Sequence, residues 1–243
     1  MKPLTNLHGE IAPLGDSALI IKFGTDINEQ THRITSALTK QIESDRFPGL
    51  IECVPAFTSV TVFYDPLEVF QHSSKGVSPF EKVKEIIKNT LYRLTIEEEI
   101  DRWTVEIPVC YGGEFGPDLE EVAQINNLTT EEVINIHTAG EYLVYMLGFA
   151  PGFPYLGGMS EKIAAPRRSS PRTSIPAGSV GIAGMQTGVY PLSTPGGWQL
   201  IGHTPLELFR PCEEPPSLLR AGDMVKFVRV TEVEYDKLKE GNF

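Results

Sequence analysis

Between residues 148 and 202 the chain carries eleven glycines, and its densest stretch, GFAPGFPYLGGM at residues 148–159, adds two prolines, three aromatic rings and no charge. Glycine weakens helices and strands through backbone entropy, and proline removes a hydrogen-bond donor, so this stretch supports neither a long helix nor an uninterrupted strand. The surrounding sequence has the same texture. Short β-rich pieces at residues 141–147, 178–184, 187–192, 197–202 and 224–230 are separated by Gly and Pro. Many short strands with frequent turn signals favour a closed or nearly closed barrel over a parallel sheet. Glycines within such strands mark barrel corners, or places where another backbone or a ligand comes close.

The first hundred residues read differently. Residues 18–23 form a short apolar run, and residues 28–45 carry Ile34, Leu38 and Ile42 at helical spacing. Residues 50–57 and 59–64 read as strands, and residues 80–94 as a helix with Val83, Ile86, Ile87, Leu91 and Leu94 on one face. That βαββα order, with residues 105–109 as a closing strand, predicts helices layered on one antiparallel sheet. Glu97, Glu98, Glu99 and Asp101 mark a solvated linker. The expected organisation is therefore α+β, with domains at 1–99 and 100–243. Two short helices should open the second domain, because Asp118 with Glu121, and Thr129 with Glu132, have the capping-box spacing.

Thirty-two acidic against 21 basic side chains give a net charge of -11, which disfavours nucleic acid and anionic membrane surfaces as partners. The N-terminus shows no continuous apolar core of a secretory signal, and the longest nearly apolar run, residues 142–153, is too short to span a bilayer. A cytoplasmic protein is expected. Cys53, Cys110 and Cys212 are odd in number and widely spaced, which argues against a disulfide framework. They also form no Cys-x-x-Cys pair, and His8, His32, His72 and His137 lack ligand spacing, so no metal site is expected.

Arg167, Arg168 and Arg172 fall within six positions of an otherwise acidic chain, flanked by Pro166 and Pro171. Arginine forks match carboxylates and phosphates, so Arg167 and Arg172 are candidates for binding anionic oxygens, with surface salt bridging as the alternative. Gln186, Tyr190 and His203 lie among the glycines and are candidates for orienting a polar substrate. His203 could equally be a satisfied core residue. The sequence has neither a Gly-x-x-x-x-Gly-Lys-Ser/Thr phosphate loop nor a Gly-x-Gly-x-x-Gly turn. In AGSVG, residues 177–181, the serine lacks the nucleophile-elbow pattern, so Ser179 reads as structural.

GFAPGFPYLGG, followed by APRRSSPRTSIPAGSVGIAGMQTGVYPLSTPGGWQLIGHTP, resembles the signature of the allophanate hydrolase subunit 1 family. So do LGDSALIIKFG, ECVPAFTSVTVFYDP and IPVCYGGEFGPDLEEVA, and the resemblance spans nearly the whole chain. Members of that family include the B component of 5-oxoprolinase and a sporulation kinase A inhibitor. The resemblance implies a ferredoxin-like N-terminal domain followed by a cyclophilin-like β-barrel domain. It further implies one component of an ATP-hydrolysing 5-oxoprolinase, inactive alone, which acts on the cyclic amide of 5-oxo-L-proline. Its partners would be the C component, of the allophanate hydrolase subunit 2 family, and the A component. ATP would be bound by the complex. The alternative that the resemblance implies is inhibition of a histidine kinase at its dimerisation and phosphotransfer helices. For a permanent partner, exposed rings at Phe149, Pro151, Phe153, Pro154, Tyr155 and Trp198 are the expected interface.

Overall fold

A computed structural model describes residues 9–96 and 103–241. The chain divides into two compact units, Met1–Asp101 and Arg102–Phe243. The expected boundary between residues 99 and 100, with its acidic linker, lies outside the described residues.

In the first unit, four strands form an antiparallel sheet: β1 (Glu10–Pro13), β2 (Ala18–Lys22), β3 (Leu50–Pro55) and β4 (Ser59–Tyr64), in the order β1-β2-β4-β3. Strict alternation along β4 buries Val60, Val62 and Tyr64, and the paired register of β2 places Leu19 and Ile21 on the same face. Three helices, α1 (Glu29–Ser44), α2 (Pro66–Gln71) and α3 (Pro79–Arg93), cover that face through Leu38, Ile42, Val69, Val83, Ile87 and Leu91. Each starts where the sequence supplies a cap. The Asn28 side chain accepts from the Thr31 N–H at 2.9 Å, the Asp65 side chain from that of Leu67 at 2.8 Å, and the Ser78 hydroxyl from that of Glu81 at 3.2 Å.

This is the expected split βαβ layering with one correction. The edge position beside β2 is filled by β1 from the N-terminal side, through a turn at Gly15, whose φ of +69° suits glycine. Residues 105–109 do not close this sheet. They belong to β5 (Thr104–Tyr111) in the second unit, where Val105, Ile107 and Val109 find their neighbours.

In that unit seven strands close a barrel. Alongside β5 they are β6 (Tyr142–Leu147), β7 (Pro154–Gly157), β9 (Ser179–Ala183), β10 (Gln186–Val189), β12 (Gln199–His203) and β13 (Met224–Arg229), in the order β10-β7-β6-β13-β5-β12-β9. Only the β13–β5 pair is parallel. A two-stranded ribbon of β8 (Arg172–Ile175) and β11 (Thr194–Gly196) stands apart from the barrel sheet. Among the described residues, three α-helices, α4 (Leu119–Ile125), α5 (Thr130–Ala139) and α6 (Glu232–Glu240), and a single 3-10 turn at Glu161–Ile163 complete the unit. The Thr129–Glu132 capping box forms as expected. That of Asp118 does not, because its carboxylate is engaged elsewhere and makes no cap hydrogen bond.

The barrel has two apolar faces. Val180, Ile182, Ile201, Leu156 and Phe227 fill one cluster, while Ala183, Leu200, Phe153, Ile175, Tyr190 and Trp198 form another. Ile201 and Leu200 are chain neighbours in different clusters, as the two-residue period of a strand requires. Among the described residues, no helix is long and apolar enough to cross a membrane.

Candidate functional site

The stretch at residues 148–159 folds as a tight loop followed by a barrel strand. The Gly148 N–H donates to the Phe153 carbonyl at 3.1 Å, and the Phe153 N–H to that of Ala150 at 3.0 Å. Gly152, at φ +79°, passes so close to Phe209 that a Cβ would lie 2.9 Å from the Phe209 Cβ. Phe149 adopts φ +66°, a region disfavoured for a bulky side chain. The loop then delivers Phe153 to the centre of four rings: Phe149 at 5.4 Å, Tyr155 at 5.1 Å, Tyr190 at 5.3 Å and Trp198 at 5.5 Å between centroids. All four meet it edge to face, the favoured geometry of aromatic quadrupoles.

The rings therefore pack against one another, and the expectation that all of them are exposed is corrected. Phe153, Pro154 and Trp198 are buried within this unit and Tyr155 is half-buried, while Phe149, 64% exposed, and Pro151 lie open to solvent.

A cavity of about 100 Å³ opens among these rings, with buried Phe153, Tyr190 and Trp198 at its base and Phe149, Arg167 and the Gly196–Gly197 backbone at its rim. Burial pushes the Tyr190 phenol up to about 12, against the opposing influence of the Trp198 backbone and of Arg167, so it stays a neutral hydroxyl. Gly196 is required here, because a Cβ would sit 2.5 Å from the Tyr190 hydroxyl. The arrangement is an aromatic cup with one guanidinium at its edge, suited to a small ring carrying an anionic group.

Beside the cup lies a cluster that sequence reasoning missed. Asp118, 3% exposed, takes the Arg172 guanidinium as a fork: Nη1 donates to Oδ2 and Nη2 to Oδ1, each at 2.8 Å. Arg168 Nη1 donates to the same Oδ1 at 2.8 Å, and the Leu200 N–H to Oδ2 at 2.7 Å. Hydrogen bonding to Asp118 pushes Arg172 further above its ordinary value. Arg172, expected to bind substrate oxygens, is thus committed to a buried carboxylate, whereas Arg167 has no ion-pair partner among the described residues. Asp118 reads as a helix cap in the sequence because it directly precedes α4. The signal that could have found its role was the need of three clustered arginines for a counter-charge.

Two further candidates lie outside the cup. Gln186 opens β10 opposite Ala183, four residues from Tyr190 and about 13 Å away along the strand. His203 packs against Tyr235, whose hydroxyl lies 2.8 Å from Nδ1, while burial pushes the imidazole down from its ordinary value. A Cβ on Gly178 would meet the His203 Cε1 at 2.4 Å, so the half-buried ring is packed closely on that side. Among the described residues, no group of three or more His, Cys, Asp or Glu could hold a metal ion.

Residues 9–219 match the family described as carboxyltransferase domain, subdomain C and D. The chain belongs to this family. It is 67% identical over 232 residues to the B component of 5-oxoprolinase from Bacillus subtilis, covering 95% of this chain and 97% of that one. A conserved uncharacterised protein of Pyrococcus horikoshii, 49% identical, superposes with a TM-score of 0.55 over 93% of this chain and 100% of its own. Urea carboxylase of Kluyveromyces lactis, only 19% identical, shares the fold with a TM-score of 0.78, this chain covering 24% of it. The resemblance read from the glycine-rich signature is therefore a family membership, and the carboxyltransferase subdomain match extends over residues 9–219.

Proposed function

We propose that the chain is the B component of an ATP-dependent 5-oxoprolinase, which with the A and C components converts 5-oxo-L-proline to L-glutamate in the cytoplasm. The observation that carries this reading is 67% identity to a 5-oxoprolinase B component across 97% of that protein's length. The cup supports it. Its rings offer apolar walls to the methylene face of the lactam, Arg167 offers the fork a carboxylate needs, and the neutral Tyr190 hydroxyl lies within the same walls. Water excluded from such walls strengthens each polar contact inside.

An unstrained lactam is a poor electrophile. Transfer of a phosphoryl group from ATP to its carbonyl oxygen makes the carbon reactive; one water adds there and the ring nitrogen leaves as the amine to give an acyl phosphate, which a second water hydrolyses, so that glutamate, ADP and phosphate result. The sequence carries no phosphate-binding loop, and the role we give this chain is to bind and orient the ring. Phe149, exposed at the rim of the cup, and the exposed Pro151 of the same loop are the residues we place against a partner protein of the complex.

Co-expression with the A and C components, followed by phosphate release with and without 5-oxoproline, tests the reading. Turnover that needs both 5-oxoproline and this chain is expected. Equal turnover without the chain would refute it.

A further inference from the structure

We propose that Asp118 is a positioning residue for the cup, and that by neutralising the arginines behind Arg167 it tunes the site to a ring bearing a single carboxylate. The inference rests on the oxoprolinase reading only for the identity of the substrate.

Asp118 is anchored before it binds any arginine. Its N–H donates to the Leu200 carbonyl at 2.8 Å, and its Oδ2 accepts the Leu200 N–H at 2.7 Å, so both its backbone and its carboxylate are fixed to β12, two residues beyond Trp198. From that base it holds Arg168 and Arg172, the two arginines that follow Arg167 in the chain. The Arg168 N–H donates to the Gly197 carbonyl at 2.7 Å, and Gly197 borders the cup. Arg172 is tied a second time, because it pairs with Gly196 in the β8–β11 ribbon. Arg167 thus stands between Pro166, whose ring fixes its own φ, and a residue held at both backbone and side chain. A loop so confined fixes the backbone from which Arg167 reaches the cup, so little backbone ordering is left to be done when ligand binds.

The charges lead to the same conclusion. Asp118 and Glu121, the latter 3.7 Å from Arg168, balance Arg168 and Arg172. The cup is left facing one uncompensated positive charge, that of Arg167. One guanidinium matches one carboxylate, and a second carboxylate would meet no counter-charge of its own.

The test uses the full chain and two unreactive probes, pyrrole-2-carboxylate and pyrrole-2,5-dicarboxylate, titrated calorimetrically, together with 5-oxoproline kinetics in the assembled complex. Asp118→Asn removes one negative charge behind the cup, and its preference for the monocarboxylate over the dicarboxylate should fall about threefold, as expected for one added charge at a screened surface distance. Arg168→Gln removes a positive charge from the same cluster and should move the ratio the other way. A merely structural defect would weaken both probes alike and could not reverse sign between the variants. Arg168 is partly exposed, so that variant keeps the inference testable if Asp118→Asn does not fold. In the complex, Asp118→Asn should raise the KM for 5-oxoproline about tenfold with a smaller change in kcat. An unchanged probe ratio in both variants, or a loss confined to kcat, would overturn the inference. Absence of 5-oxoproline-dependent turnover in the wild-type complex would instead refute the proposed function, leaving the probe ratio to judge Asp118.

Discussion

His137 makes the barrel sensitive to acid in a way that can be worked out beforehand. It lies on α5 with no exposed surface, stacked 4.4 Å from the Phe227 ring. Its Nε2 lies 2.9 Å from the Thr187 hydroxyl, which itself donates to the Gly181 carbonyl at 3.1 Å, so Nε2 is the donor. Nδ1 then accepts from the Tyr111 hydroxyl at 2.8 Å, which makes the ring neutral. Burial lowers its pKa from 6.5 to about 3. With the folded value depressed, the unfolded chain binds the proton first, so stability is fully present above pH 6.5 and is lost as pH falls toward the folded value. At about pH 5.0 the loss relative to about pH 7.5 is about 2 kcal/mol, set almost entirely by the unfolded value. Urea unfolding of the wild type and of His137→Gln at those two pH values, followed by near-ultraviolet circular dichroism of the barrel aromatics, measures it. His203, also pushed down by burial, contributes equally to both proteins and cancels. The wild type should lose about 2 kcal/mol more than the variant. Equal losses would refute the assignment of a buried neutral imidazole.

The ring cluster separates stability from binding. Phe153→Ala should cost about 3–5 kcal/mol by thermal or urea unfolding, whereas Phe149→Gly, which relieves a left-handed backbone worth about 1 kcal/mol, should leave the melting temperature nearly unchanged and raise the KM for 5-oxoproline. Gly178→Ala should destabilise the barrel by more than about 2 kcal/mol, because φ is +88° and a Cβ would lie 2.4 Å from His203 and 2.5 Å from the Thr204 carbonyl. Burial pushes the Cys53 thiol up to about 12, so an alkylating reagent at mildly alkaline pH should label exposed Cys212 in the native chain and reach Cys53 only after unfolding, as peptide mass spectrometry would show.

Local patterns specified much of the fold. Asn28 before a run with Ile34, Leu38 and Ile42 marks both the start and the buried face of α1, and the alternation in SVTVFY marks β4, because capping and periodicity are properties of neighbouring residues. β1 was not legible, since EIAP is four residues long and ends in proline. The placement of β5 was not legible either, because its apolar alternation suits either sheet and only its parallel register with β13, more than a hundred residues later, decides. The same reason hid the geometry of the site. Phe149, Phe153, Tyr155 and Trp198 were legible as a group of rings, but whether they face solvent or one another depends on the β6–β7 pairing and on where Tyr190 arrives. Arg167 and Tyr190, both candidates from the sequence, line the cup together. Arg172 does not join them, because it is taken by Asp118, which lies 54 residues away and resembles a helix cap.

Whether the aromatic cup of this chain holds the ring of 5-oxoproline against Arg167 can be read from its two tryptophans. Their indole N–H resonances separate the cup from the rest of the surface, because Trp198 lines the cup while Trp103, 79% exposed, does not and serves as an internal control. On titration of the assembled complex with 5-oxoproline, the Trp198 signal should shift saturably while that of Trp103 stays in place, and Arg167→Gln should abolish the shift. A Trp198 signal that never moves at saturating substrate, or one that moves identically in Arg167→Gln, would rule out ring binding in the cup.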